Sequence, residues 1–144
     1  MTPRKLNLLV PVDGSAGADR AVDYALTLSG WRLTDQIHLI NVQYPLPGAV
    51  TTFVGSKAVS GYHHDEGMKA LTGACAKLDA AKVPHHVHIA VGQPAETIVA
   101  FCQELKCDAI VMSTRGHGKA AGLLLGSVAR DVIAKADVPV TVVK

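Results

Sequence analysis

Apolar positions along this chain recur in two alternating rhythms. Near-continuous runs fall at 6–12, 37–42, 109–112 and 138–143, and between them apolar residues return every three or four positions. The first rhythm marks strands buried on both faces, the second helices with one buried face. Leu6 to Val12 is predicted as the first strand. Ala18, Val22, Ala25, Leu26 and Ser29 then share a helical face, and Gly30 is expected to close that helix. Asp35 to Val42 gives a second strand, broken by Tyr44-Pro-Leu-Pro-Gly48. From Gly48 to about Gly61 the sequence is small, polar and weakly periodic, and reads as a long mobile loop. His63 to Lys82 is predicted as a helix through Met68, Leu71, Cys75 and Leu78. Pro84 to Val91 alternates as a third strand. Pro94 suits the first turn of a helix whose inner face carries Ile98, Phe101, Cys102 and Leu105. Ala109 to Met112 is a fourth strand. Ser127 to Ala136 is a helix facing inward through Val128, Val132, Ile133 and Ala136, and Val138 to Val143 is a fifth strand. Strands alternating with helices of this length predict an α/β fold, a doubly wound five-stranded parallel sheet.

Composition narrows the function classes. At 144 residues, 49% hydrophobic and 18% charged, the chain is globular and reads as a single domain over 1–144. A formal charge of +2 with 4% aromatics offers neither a basic footprint nor stacking platforms for nucleic acid. The run Leu6–Val12 is too short to span a bilayer and has no cleavage site after it, so a cytoplasmic location without membrane association is expected. Cys75, Cys102 and Cys107 are odd in number and lack a C-x-x-C pair, which predicts reduced structural thiols.

The chemistry concentrates between Asp108 and Val128. There a buried strand runs into Ser113-Thr-Arg-Gly116-His-Gly118-Lys-Ala-Ala-Gly122, and a helix begins near Ser127. Unpaired N–H groups and the positive end of a helix dipole attract an anion, and glycines let backbone approach it. Ser127 is the expected N-cap, and Arg115 and Lys119 add positive charge. A phosphate-bearing ligand follows. The loop is not a P-loop, because Gly118-Lys119 is followed by Ala120 and no glycine sits five positions before Gly118. Nor is it the dinucleotide fingerprint, because Gly116-His-Gly118-Lys-Ala-Ala-Gly122 has one residue too many and follows a late strand.

The loop does match an adenine-nucleotide signature: Gly, two residues, Gly, nine residues, Gly, then Ser or Thr. Gly116, the nine residues His117 to Leu125, Gly126 and Ser127 fit it, with Ser113 in place of the first glycine. In this, and from Val10-Pro-Val-Asp-Gly-Ser15 to Val138-Pro-Val-Thr-Val-Val143, the chain resembles the universal stress protein family. The resemblance implies the strand order 3-2-1-4-5 of a Rossmann-like, adenine nucleotide alpha hydrolase-like fold. It also implies ATP with Mg2+ as ligand. Pro11, Val12 and Val42 would line the adenine pocket, Met112 and Ser113 border the ribose, and Gly116, Gly126, Ser127 and Val128 contact the phosphates, with Gly118 in the same loop. An antiparallel homodimer through Val138–Val143 and an unknown protein partner are implied as well. Ser113 adds a side chain where backbone approach is wanted, which predicts weakened binding. The rival readings are a nucleotide-free dimeric scaffold and a slow ATP hydrolase.

In that order strands one and four are neighbours whose connections leave in opposite directions, and ligands bind at such a switch point. Asp13 would then face the glycine loop, placed to accept ribose hydroxyls or to hold magnesium that bridges phosphates. Its alternative role is an N-cap of the first helix, with Ser15 as rival. His86 and His88 share a strand face and His85 opposes them, a weak zinc signal without a third ligand. No catalytic triad or paired carboxylates can be argued from spacing.

Overall fold

The computed structural model describes residues 4–114 and 125–144. Five parallel strands form one sheet: β1 (Leu6–Pro11), β2 (Thr34–Gln43), β3 (His86–Val91), β4 (Ala109–Ser113) and β5 (Val140–Val143), in the order β3-β2-β1-β4-β5. Five helices connect them: α1 (Ala16–Gly30), α2 (Gly48–Val54), α3 (Ser56–Ala80), α4 (Pro94–Glu104) and α5 (Ser127–Lys135). Among the described residues no helix is long and apolar enough to cross a membrane.

Helices cover both faces of the sheet, which is why its strands read as unbroken apolar runs. Leu8, Val10, Leu39 and Val111 pack with α1 and α3 residues such as Val22, Leu71 and Leu78. Leu9, Ile40, Ile110 and Met112 pack on the other face with Ile98 and Cys102 of α4 and Ala129 and Val132 of α5. Leu8, Leu9 and Val10 are successive and all fully buried. Each such side chain contributes roughly 1.5–3 kcal/mol of burial. Gly67 lets α3 approach β3: a Cβ there would lie 2.8 Å from Ile89.

Four local expectations are corrected. The stretch 48–61 is helical, not a loop: α2 occupies it and α3 begins at Ser56, one turn and more before His63. Gly55, at φ +86, makes the bend between the two helices. Apolar periodicity reports burial, and α2 buries no residue at all, so it left no such pattern to read. Met68 of α3 is also more than a third exposed, and Ala74 takes the buried position instead. At the end of α1 the left-handed residue is Arg32 (φ 60), not Gly30. Lys82 and Lys106 end α3 and α4 the same way, with N–H groups bonding Asp79 and Gln103 carbonyls at 3.0 and 3.2 Å. On α5 the inward residue is Ala129; Ile133 is 44% exposed.

Candidate functional site

At the C-terminal ends of β1, β2 and β4 the sheet opens into a cleft of about 440 Å³. The strand order makes it there: β1 sends its chain to α1 on one face, and β4 sends its chain toward α5 on the other. Pro11, Val12 and Asp13 line it from the end of β1. Ile40, Asn41, Val42 and Tyr44 come from β2 and the residue after it, Met112, Ser113 and Thr114 from β4, Gly126 to Ala129 from α5, and Pro94 and Ile98 from α4. Nine expected site residues therefore lie along one cleft: Pro11, Val12, Asp13, Val42, Met112, Ser113, Gly126, Ser127 and Val128. Gly116 and Gly118 lie outside the described residues, as do Arg115, His117, Lys119 and Gly122.

The wall at β1 is held by backbone and amide bonds. Val12 donates its N–H to the Ile40 carbonyl at 2.8 Å, continuing the ladder one step past the strand. Its own carbonyl accepts from Asn41 Nδ2 at 2.8 Å, and Asn41 Oδ1 accepts from Gln43 Nε2 at 2.7 Å. Gly14 turns the chain at φ +84, against Ala70 of α3. Ser15 is the N-cap of α1, its Oγ accepting from Ala18 N–H at 3.2 Å. That resolves the rivalry over the cap. Asp13 Oδ1 instead accepts the Ser15 N–H at 2.9 Å, which orients its carboxylate while it lines the cleft.

The opposite wall is the start of α5. Gly126, not Ser127, occupies the N-cap position, in extended backbone at φ −74, ψ 168. Ser127 is the first helical residue, because its predecessor already takes the half-helical cap position. A glycine cap has no side chain to offer, so the N–H groups of the first turn lie at the cleft with the helix dipole behind them. The Arg130 N–H closes the first intrahelical bond, to Gly126, at 3.0 Å. Apolar walls with a carboxylate at one side and a helix N-terminus at the other suit a ligand carrying a flat apolar part, hydroxyls and an anionic group.

Sequence reasoning missed Ile40, Asn41, Tyr44, Pro94, Ile98, Thr114 and Ala129 of this lining. Asn41 alone left a signal, as a polar residue inside the apolar run 37–42 that is only 4% exposed. The α4 residues reach the cleft only through tertiary packing.

The histidines form a separate group. His86 and His88 do share a face, and His38 of β2 joins them: its ring stacks on His86 at 4.9 Å and its Nδ1 lies 2.9 Å from His88 Nε2. His38 Nε2 lies 3.2 Å from Gln36 Oε1, so the ring is bonded at both nitrogens. Phe101 of α4 meets His88 edge-on at 5.8 Å. Among the described residues no group of three His, Cys, Asp or Glu is arranged to hold a metal ion. The three cysteines are free. Burial pushes the Cys107 thiol up to about 12, with Cys102 and Asp108 adding to the shift.

The sequence profile of the universal stress protein family matches residues 6–144. A universal stress protein of Methanocaldococcus jannaschii is 33% identical over 143 residues, covering 95% of this chain and 81% of the relative. A universal stress protein solved in complex with cAMP superposes with a TM-score of 0.72 at 26% identity, covering 96% of this chain and 97% of the other. The universal stress protein from Archaeoglobus fulgidus, solved in complex with dAMP, gives 0.68 at 25% identity over 99% of this chain and all of its own.

Proposed function

We propose that this chain, which belongs to the universal stress protein family, binds an adenine nucleotide, ATP with Mg2+, in the cleft at the sheet's switch point. The observation that carries the reading is the opposition of two groups across one cleft: the Asp13 carboxylate at the end of β1 and the N-terminus of α5. The cAMP and dAMP complexes of its relatives support an adenine nucleotide in particular. The adenine would lie against Pro11, Val12 and Val42, the ribose beside Asp13, Met112 and Ser113, and the phosphates at Gly126, Ser127 and Val128, with Gly116 and Gly118 as further phosphate contacts. One carboxylate suffices for Mg2+, which keeps most of its waters and takes its other ligands from phosphate oxygens. Among the described residues of the cleft lining Asp13 is the one carboxylate, and holding Mg2+ and accepting the ribose hydroxyls are alternative roles for it.

The reading is of a binding switch in which ligand orders the glycine loop and so alters a surface read by a protein partner. Hydrolysis, on this reading, is slow; turnover faster than about 1 s⁻¹ would mark an enzyme instead. The proposal includes one domain over 1–144, a cytoplasmic location suited to free thiols, and a homodimer through β5. That strand is an edge, paired among the described residues with β4 alone, and its apolar residues Val140, Val142 and Val143 are half-buried. An apolar edge of that kind is open to a second copy.

Thermal unfolding with added nucleotides tests the reading. Mg-ATP at a hundred times its dissociation constant stabilises the native state by about 2.7 kcal/mol. A raised Tm with ATP and none with GTP is expected; equal shifts with both, or none, would remove the adenine assignment.

A further inference from the structure

We propose that Asn41 and Gln43 form an amide relay that positions Asp13 and thereby sets the ribose selectivity of the cleft. The inference rests on the reading of the cleft as a nucleotide site. Neither residue belongs to the glycine signature, and Gln43 is not among the cleft lining.

A buried amide is costly unless its polar atoms are satisfied, by roughly 1–3 kcal/mol for an unmade bond. Asn41 is 4% exposed in a strand otherwise filled with apolar side chains. Both ends of its amide are used. Nδ2 donates to the Val12 carbonyl at 2.8 Å, and Oδ1 accepts from Gln43 Nε2 at 2.7 Å. The Val12 carbonyl, which can only accept, gives the relay its direction. Turning the Asn41 amide over would set NH2 against NH2 on one side and oxygen against the Val12 carbonyl on the other. The Val12–Asp13 peptide is thus fixed by a side chain at the point where β1 leaves the sheet.

The other end of Asp13 is fixed as well, because its Oδ1 accepts the Ser15 N–H at 2.9 Å. Ser15 in turn is bound to α1 through its cap bond to Ala18. Asp13 is therefore held between two anchors, the relay on its N-terminal side and the helix start on its C-terminal side. Hydrogen bonds weaken steeply with misalignment, whereas apolar contact with a base does not. Loosening the relay should therefore cost recognition of the sugar hydroxyls more than recognition of adenine.

The probe must remove both hydroxyls, since cAMP offers only the 2′ group and dAMP only the 3′ group. ATP and 2′,3′-dideoxy-ATP are titrated against the full-length protein and against Asn41→Leu, Gln43→Glu and the buried-core control Leu78→Ala. The unaltered protein should prefer ATP by roughly ten- to hundredfold, the range of a hydrogen bond to a charged group. In Asn41→Leu and Gln43→Glu that ratio should collapse to within about threefold, and in Gln43→Glu, which lies outside the cleft lining, dideoxy-ATP affinity should change less than about threefold. Leu78→Ala should lower Tm and keep the ratio, which separates positioning from general destabilisation. Should Asn41→Leu not fold, Gln43→Glu decides alone, because Gln43 is only half-buried. A ratio unchanged in the relay variants overturns the proposal. So does a parallel loss of both nucleotides, or an unaltered protein that does not distinguish them, while the nucleotide reading stands. An unaltered protein that binds neither compound overturns that reading and the relay with it.

Discussion

Gly126 donates its backbone N–H to the carbonyl of Thr114 at 2.6 Å, which ties the start of α5 to the end of β4 beside the cleft. Thr114 is itself tied to β5 through its N–H and the Val143 carbonyl at 3.1 Å. The end of β4, the end of β5 and the start of α5 are thereby joined by backbone bonds.

That geometry makes Gly126→Val a clean test of where phosphates sit. Its backbone at φ −74, ψ 168 is open to any residue, so the fold should persist, at a cost of about 1 kcal/mol for exchanging a favourable cap for a poor one. A branched side chain at the helix start blocks close approach, and ATP affinity should fall more than about tenfold. Unchanged affinity in a folded variant would put the phosphates elsewhere.

Acid should weaken the protein through the β2–β3 histidines. Burial, then the neighbouring imidazoles His88 and His86, lower His38 below 6.5; burial and His86 do the same to His88. The native state therefore binds fewer protons than the unfolded chain as pH falls through 6.5. Stability declines from there down to the depressed values, below which the loss stays constant. The contacts from α4 are Phe101's, and no charged partner offsets the effect among the recorded interactions. Tm should drop between about pH 7 and 5, less steeply in His88→Gln, whose amide can still hydrogen-bond to His38. An identical slope in the variant would place the titration elsewhere.

Lys82 offers a stabilising change. It ends α3 at φ 57, a conformation that strains a side chain and not glycine. Lys82→Gly should raise stability by roughly 0.5–1 kcal/mol, with Tm higher by roughly 2–4 °C. A Tm that falls would show that the lysine's interaction with the helix end outweighs the strain.

Thiol reactivity should follow burial. Cys102 and Cys107 are 4% and 6% exposed whereas Cys75 is half-buried, although burial raises all three thiols. Alkylation at neutral pH should label Cys75 first, and Cys102 and Cys107 only on unfolding. Prompt labelling of Cys107 in the native protein would mean that its end of α4 opens readily.

Legibility in the sequence tracked burial. Leu8 to Val10 and Ile110 to Met112 announced their strands because helices cover both faces of the sheet. Val50 to Val54 gave no sign of α2, because a helix that buries nothing has no apolar stripe. Strand order came from resemblance; run lengths alone do not contain it. Asp13, Ser113 and Gly126 could be placed at the cleft because each ends a strand or starts a helix at the switch point. Asn41 could have been found as a polar break in an apolar run. Pro94 and Ile98 could not, because their helix reaches the cleft from a strand that is not its neighbour.

The central claim is tested most directly by calorimetric titration of the purified protein with ATP and Mg2+, with GTP as control. Adenine-selective binding with a micromolar dissociation constant, about −8 kcal/mol, is the predicted result. No heat at concentrations that saturate such a site would contradict it, and would mean that Ser113 has cost the cleft its nucleotide and that the fold serves as a dimeric scaffold.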